Sequence, residues 1–310
     1  MPARLSPLAL FIALLAPAGL SAQGAPSFYE PGISPDGEEI AFVSGGDIWT
    51  VSADGGAARL LIAHSAHESR PLYSPDGTHL AFNSNRNGGI DVFVMDLATG
   101  DVQRLTTDAG SEELNGWSQD GDWIYFSSSA EDVAGTHDVF RVRATGGTPM
   151  VVAGDTYEGE YFSAPGPDGM LAISTRGDQA RSQWWRNGRS HMDESEIWIV
   201  DEATTEGGTP TYRPIVTGGK NMWPMWVAGS DGPLLAFMSD RTGTENLWGV
   251  QLGASGEPAG EPRPITEFED GRVLFPSIAK DGAITFERDF GIWLKDANGD
   301  AARRLDINLM

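Results

Sequence analysis

Six Asp-Gly pairs along the 310-residue chain, at Asp36, Asp76, Asp120, Asp168, Asp231 and Asp281, are each followed by an apolar triplet. The triplets are Ile40-Ala41-Phe42, Leu80-Ala81-Phe82, Ile124-Tyr125-Phe126, Leu171-Ala172-Ile173, Leu235-Ala236-Phe237 and Ile284-Thr285-Phe286. A second triplet then ends in an aromatic: Asp47-Ile48-Trp49, Asp91-Val92-Phe93, Asp138-Val139-Phe140, Glu196-Ile197-Trp198, Asn246-Leu247-Trp248 and Gly291-Ile292-Trp293. The Asp-Gly pairs lie 40, 44, 48, 63 and 50 residues apart. A period of 40–50 residues belongs to propellers and solenoids.

The turn chemistry gives each unit its first hairpin. In Ser34-Pro35-Asp36-Gly37 and Ser74-Pro75-Asp76-Gly77, proline presets the backbone angle of a type I turn and aspartate caps it. Glycine then takes the left-handed position that closes the hairpin. One carboxylate per turn is too few oxygens for calcium. The triplets are apolar on both faces, as strands stacked between neighbouring sheets require. The small middle residue (Ala41, Ala81, Ala172, Ala236, Thr285) suits sheets converging on an axis, with Tyr125 the exception. These features predict an all-β, six-bladed β-propeller of four-stranded blades, near residues 29–62, 69–106, 113–152, 159–216, 222–266 and 273–307. No strand is left over for a blade shared between the termini, so ring closure is expected to rest on apolar packing between the first and last blades.

Residues 1–22 read as a signal peptide. One basic residue, Arg4, precedes the apolar run from Leu5 to Ala16, and Ser21-Ala22 supplies small residues before Gln23. That run is too short to span a bilayer comfortably. Residues 23–310 are then an exported, periplasmic or secreted domain with no membrane span. The 44 acidic against 21 basic side chains leave a formal charge of −23, which excludes a nucleic-acid partner. Cysteine is absent, so disulfides, thiolate metal sites and cysteine nucleophiles are excluded as well.

Two segments outside the common repeat carry a family resemblance. Trp184-Trp185-Arg186-Asn187-Gly188-Arg189, followed by Glu196-Ile197-Trp198-Ile199, resembles an insertion in the fourth blade of the N-terminal propeller of tricorn-type serine peptidases. Phe275-Pro276-Ser277-Ile278, with Phe286-Glu287-Arg288-Asp289-Phe290-Gly291-Ile292-Trp293, resembles the last blade of that propeller. The repeats themselves are similar to the WD40-like repeats of the periplasmic TolB propeller. The resemblance covers residues 29–307. It implies a propeller that precedes a PDZ domain and a peptidase domain of the S41, tail-specific-protease type. No catalytic residue of that family carries over, because the segment holding it is not in this sequence. The partner implied is a peptide or protein, including the downstream PDZ and peptidase domains. A stand-alone TolB-like interaction propeller is the alternative.

Within the chain, no catalytic residue, cofactor or metal site is expected. Gly116-Trp117-Ser118-Gln119-Asp120 begins like a nucleophile elbow but has Asp120 where the second glycine belongs. It is the third copy of the repeat turn. His64 and His67, with Glu68 adjacent, fall in a loop between blades, where zinc would want the facing geometry of a helix. Arg86, Arg176 and Arg241 recur in Ser-x-Arg after the second strand, which points to structural hydrogen bonds. The first strand of each blade should line the axis, and Glu30, Arg70, Asn115, Glu160, Trp223 and Phe275 are its candidate channel-lining, peptide-binding residues. The connection between Ile173 and Ile197 far exceeds a hairpin, and it carries Trp184, Trp185, Arg186 and Arg189 as a candidate docking loop.

Overall fold

A computed structural model describes residues 26–310 apart from 109, 131–134, 155–157, 177–193, 202–209, 228–231, 254 and 300. Six antiparallel sheets are each built from four strands consecutive in sequence. The first strands are Tyr29–Ile33, Glu68–Tyr73, Glu113–Trp117, Glu160–Pro165, Asn221–Val227 and Leu274–Ile278. They touch one another in ring order, the sixth returning to the first. The molecule is a six-bladed propeller, and among the described residues its helical content is a single 3-10 turn at Pro167–Gly169.

The repeat turns form as their residues dictate. The Ser34 hydroxyl donates to Asp36 Oδ1 at 2.6 Å and accepts the Glu39 N–H at 2.9 Å, while Asp36 Oδ1 also accepts the Glu38 N–H at 3.1 Å. Ser74 and Asp76 repeat this arrangement in blade 2, and Ser118 and Asp120 in blade 3. Asp231 lies outside the described residues.

The core sits between the blades. Ile40, Ala41 and Phe42 are all fully buried although they alternate in direction, because blade 1 has a neighbour on each side. Ala41, Val43 and Ile48 of blade 1 pack with Leu80, Phe82 and Phe93 of blade 2 in one apolar cluster. Five further clusters fill the other seams. Fully burying one such side chain contributes about 1.5–3 kcal/mol, so the seams carry the stability of a chain that has no disulfides.

The Ser-x-Arg repeats close the second strands from outside. Arg86 donates from Nε to Ser84 Oγ at 2.9 Å and from Nη2 to buried Glu68 at 2.8 Å, with its guanidinium over Phe93 at 4.7 Å. Arg241 donates from Nε to Ser239 Oγ at 3.2 Å and from Nη2 to Asn221 Oδ1 at 3.4 Å, over Trp248 at 4.9 Å, and Arg176 lies over Trp198 at 5.3 Å. Arg288 of blade 6, over Phe268 at 4.2 Å, is a fourth member that the Ser-x-Arg pattern does not reveal.

Every blade has its own four strands, as the repeats predicted. The expectation that no strand is left over needs correction. The fourth strand of blade 6 is the short Arg303–Arg304, and Ile307–Leu309 continues past it to join blade 1 as a fifth strand. This strand runs parallel to Gly56–Ile62, with Ile307 opposite Gly56 and Leu309 opposite Ala58. Closure therefore combines main-chain pairing with the expected apolar packing, in which Phe28, Phe42 and Ala58 meet Ile292, Leu294 and Ile307. The pairing was hidden in the sequence because a parallel partner needs no turn signal to announce it.

Candidate functional site at the axial mouth

The first strands share an irregularity that aims side chains at the axis. Opposite the aromatic or aliphatic end of the first triplet, two residues face one on the second strand. The pairs are Glu30-Pro31, Arg70-Pro71, Leu114-Asn115, Phe162-Ser163, Trp223-Pro224 and Phe275-Pro276. In five of the six blades the first residue of the pair is left-handed, with φ between 47° and 53° at Glu30, Arg70, Phe162, Trp223 and Phe275. Such φ values are uncommon for bulky residues and mark positions that the surrounding structure over-determines. Here the determinant is the bulge itself, which re-aims the strand near its midpoint.

The residues so placed bind one another around the ring. Glu30 Oε2 accepts the Arg70 N–H at 2.7 Å, and Glu287 Oε2 accepts the Glu30 N–H at 3.3 Å. The Arg70 guanidinium lies over the Phe275 ring at 5.2 Å. Phe275, Trp223 and Phe162 follow as an aromatic arc with successive centroids 5.2 Å apart. Asn115 Oδ1 accepts the backbone N–H of Ser163 at 3.0 Å and its hydroxyl at 2.9 Å. Between blades 2 and 3, the Trp117 indole donates to the Leu72 carbonyl at 3.1 Å.

Of the six residues expected to line the channel, five stand at these paired positions, and Glu160 does not. Phe162 occupies its place. Glu160 is buried at the strand's start, opposite Thr175, where blade 2 has Glu68 opposite Ser84. Blade 4 carries Ser163 where four other blades have proline, so the proline landmark is missing there. A signal was nonetheless available. Pro31, Pro71 and Pro276 each lie five residues before the turn aspartate, and five before Asp168 is Ser163. The expected docking residues Trp184, Trp185, Arg186 and Arg189 lie outside the described residues.

Above this level, on the face carrying the Asp-Gly turns, opens a cavity of about 710 Å³. Arg70, Asn115, Phe162 and Trp223 reach its lining from below, and Leu72, Trp117, Trp226 and a set of prolines form its walls. That size and character, apolar walls with a few polar groups at the base, fit a ligand site.

Burial dominates the electrostatics near the axis. It raises the Glu30 carboxyl above its ordinary value, with nearby Arg70 opposing the shift, and it raises Glu287 to about 7. On the turn face the direction reverses. The Ser74 hydroxyl holds Asp76 down to about 2, and Ser34 and Ser118 likewise hold Asp36 and Asp120 below the ordinary carboxylate range. Ser118 Oγ donates to Asp120 Oδ1 at 2.5 Å, which uses the hydroxyl hydrogen within the turn.

Comparison with known proteins finds relatives of the fold. Residues 27–305 match the family model of the tricorn protease N-terminal β-propeller domain. Tricorn protease homolog 1 of Streptomyces coelicolor is 28% identical over 288 residues, which is 89% of this chain and 24% of that protein. A TolB homolog of Chlorobium luteolum is 36% identical over 77 residues, 24% of this chain and 18% of the other. The crystal structure of the tricorn protease superposes with a TM-score of 0.71 at 18% identity, covering 91% of this chain and 26% of its own. TolB from Acinetobacter baumannii superposes with a TM-score of 0.59 at 19% identity, covering 81% and 57%. The chain thus spans about a quarter of the length of the tricorn proteins it matches.

Proposed function

The chain belongs to the tricorn protease N-terminal β-propeller family, and on that premise we propose that it is a non-catalytic module receiving peptide segments at its axial mouth, as part of an exported tricorn-like serine peptidase. The observation that carries this reading is the 710 Å³ cavity floored by the strained axial residues. Its aromatic and proline walls offer an extended chain apolar contact, and Asn115 and Arg70 offer polar anchors at the base. The export part rests on the leader-like residues 1–22 and on the TolB-like similarity. Among the described residues no helix is long and apolar enough to cross a membrane.

The test is calorimetric titration of the mature chain with end-capped peptides of mixed sequence. Saturable binding that disappears in Leu72→Trp, a variant filling the cavity from its wall, supports the reading. Undiminished binding in a folded variant removes the axial mouth from it. The basic-aromatic segment Trp184, Trp185, Arg186 and Arg189 belongs to the same proposal as the contact with a peptidase body. Arg186→Glu with Arg189→Glu, made in a chain that includes the peptidase part, should weaken that association without changing propeller stability. Unchanged association at low salt, where such contacts are strongest, rejects it. If the propeller instead binds envelope proteins with no peptidase involved, the stand-alone TolB-like role replaces this one.

A further inference from the structure

A second cavity of about 430 Å³ adjoins the axial one in the cleft between blades 1 and 2, and the two have Pro35, Tyr73, Pro75 and Lys280 in common as walls. The two spaces differ in chemistry. The axial cavity is walled by aromatics and prolines, whereas Asp36, Glu38, Glu39 and Asp76 line the cleft. The Tyr73 hydroxyl stands at the junction and donates to Glu39 Oε1 at 2.7 Å, which fixes that carboxylate toward the shared wall. The Asp36 and Asp76 carboxylates are fixed by their turn serines at 2.6 Å. Two cations are near. Lys280 lies on the shared wall, and exposed Arg59 meets Glu39 Oε2 at 3.2 Å. Four carboxylates against two cations leave the cleft negative, on a chain whose net charge of −23 already draws basic segments toward it.

Resting on the peptide reading above, we propose that the mouth selects a basic peptide segment: a proline or aromatic residue seated over the axis, and a lysine or arginine a few residues along the chain whose cation enters the blade 1–blade 2 cleft. Proline suits the first position because its extended helix is already ordered in solution and packs on aromatic walls. A flexible cationic stem suits the second, since it can lie along Tyr73 and Pro75 while its head reaches the carboxylates. A carboxylate-bearing segment is refused by the same four groups.

The experiment uses three fluorescein-labelled, end-capped eight-residue peptides sharing a proline–phenylalanine–proline segment. It is followed by two lysines, two glutamines or two glutamates. Fluorescence anisotropy with the mature chain at low salt should show the lysine peptide binding about tenfold tighter than the glutamine peptide, and the glutamate peptide weakest. The preference should shrink at about 0.5 M salt. Glu38→Lys combined with Glu39→Gln removes two of the four cleft carboxylates and keeps an acceptor for the Tyr73 hydroxyl. It should bring the lysine peptide to the affinity of the glutamine peptide, with both still bound. Equal binding of all three peptides overturns the basic preference while the peptide reading stands. A lysine preference that persists in the double variant overturns the cleft as its origin. Failure of every peptide to bind overturns both proposals together.

Discussion

The backbone N–H of Gly56 donates to the carbonyl of Asp306 at 2.7 Å, and this bond begins the parallel pairing that joins the chain's last strand to its first blade. Gly55 next to it has φ +86°, and a Cβ there would sit 2.7 Å from the same carbonyl oxygen. Gly45 has a comparable φ of +67° with nothing within 4 Å of its Cβ position. Alanine at Gly45 should therefore lose only the left-handed backbone penalty of about 1–2 kcal/mol. Alanine at Gly55 should lose that and displace the closing strand, for about 2 kcal/mol more. Urea denaturation of both variants checks this. Equal midpoints would mean that the closing strand contributes nothing.

The buried acids set a pH optimum. Glu287 and Glu112 are raised to about 7, both chiefly by burial, and burial raises Glu30 in the same direction. In the unfolded chain these carboxyls titrate near 4.3. Between those values the folded state holds protons that the unfolded state has released, so stability falls as pH rises from about 4.3 to about 7 and is flat above. The turn aspartates act oppositely. Asp76, held to about 2 by Ser74, loses its contribution only as pH falls below about 4. The chain should be most stable near pH 4. Glu287→Gln keeps an acceptor for the Glu30 N–H. It should match the parent at pH 5 and exceed it at pH 8 by on the order of 2 kcal/mol. A parent stability that climbs from pH 5 to pH 8 would refute this.

The hairpin at Asp289-Phe290 invites a stabilising change. Both residues are left-handed, at φ 52° and 57°, and the Phe290 ring is 75% exposed. A two-residue turn of this hand prefers Asn-Gly. Asp289→Asn with Phe290→Gly should raise stability by about 1 kcal/mol and preserve the Phe28 N–H bond to the residue 290 carbonyl, 3.1 Å in the parent. A thermal unfolding scan decides it, and a lowered midpoint would show that the phenylalanine packs where the structure shows solvent.

The fold was legible because its determinants are local. Ser-Pro-Asp-Gly turns and two-sided apolar triplets state the hairpins and the stacking directly, and six copies state the ring. What escaped depends on geometry between distant segments. Ile307–Leu309 has no turn or period of its own, since its partner is a strand near the other end of the chain. The axial residues were visible through proline at Pro31, Pro71, Pro224 and Pro276, and were misread where Ser163 stands instead. The cleft between blades 1 and 2 escaped altogether. Asp36, Glu39 and Asp76 look like solvated turn residues until Tyr73 and the prolines bring them into one wall.

Ser118 is the residue whose surroundings most resemble catalytic machinery in sequence, and the structure assigns it to the turn. Its hydroxyl donates to Asp120 and accepts the Trp123 N–H at 2.9 Å, and no histidine stands among these partners to act as a base. The purified chain should hydrolyse neither casein, nor a peptide library, nor simple esters. Ser118→Ala should instead cost about 1 kcal/mol of stability, because it leaves the half-buried Trp123 N–H without its acceptor. The Ser118 hydroxyl is also the main cause of the depressed Asp120 carboxyl, so the substitution should move that group back toward its ordinary value. An NMR pH titration of the Asp120 carboxyl reads that shift. Turnover of any of these substrates that Ser118→Ala abolishes, with Asp120 titrating as before, would overturn the assignment of residues 116–121 as a structural turn.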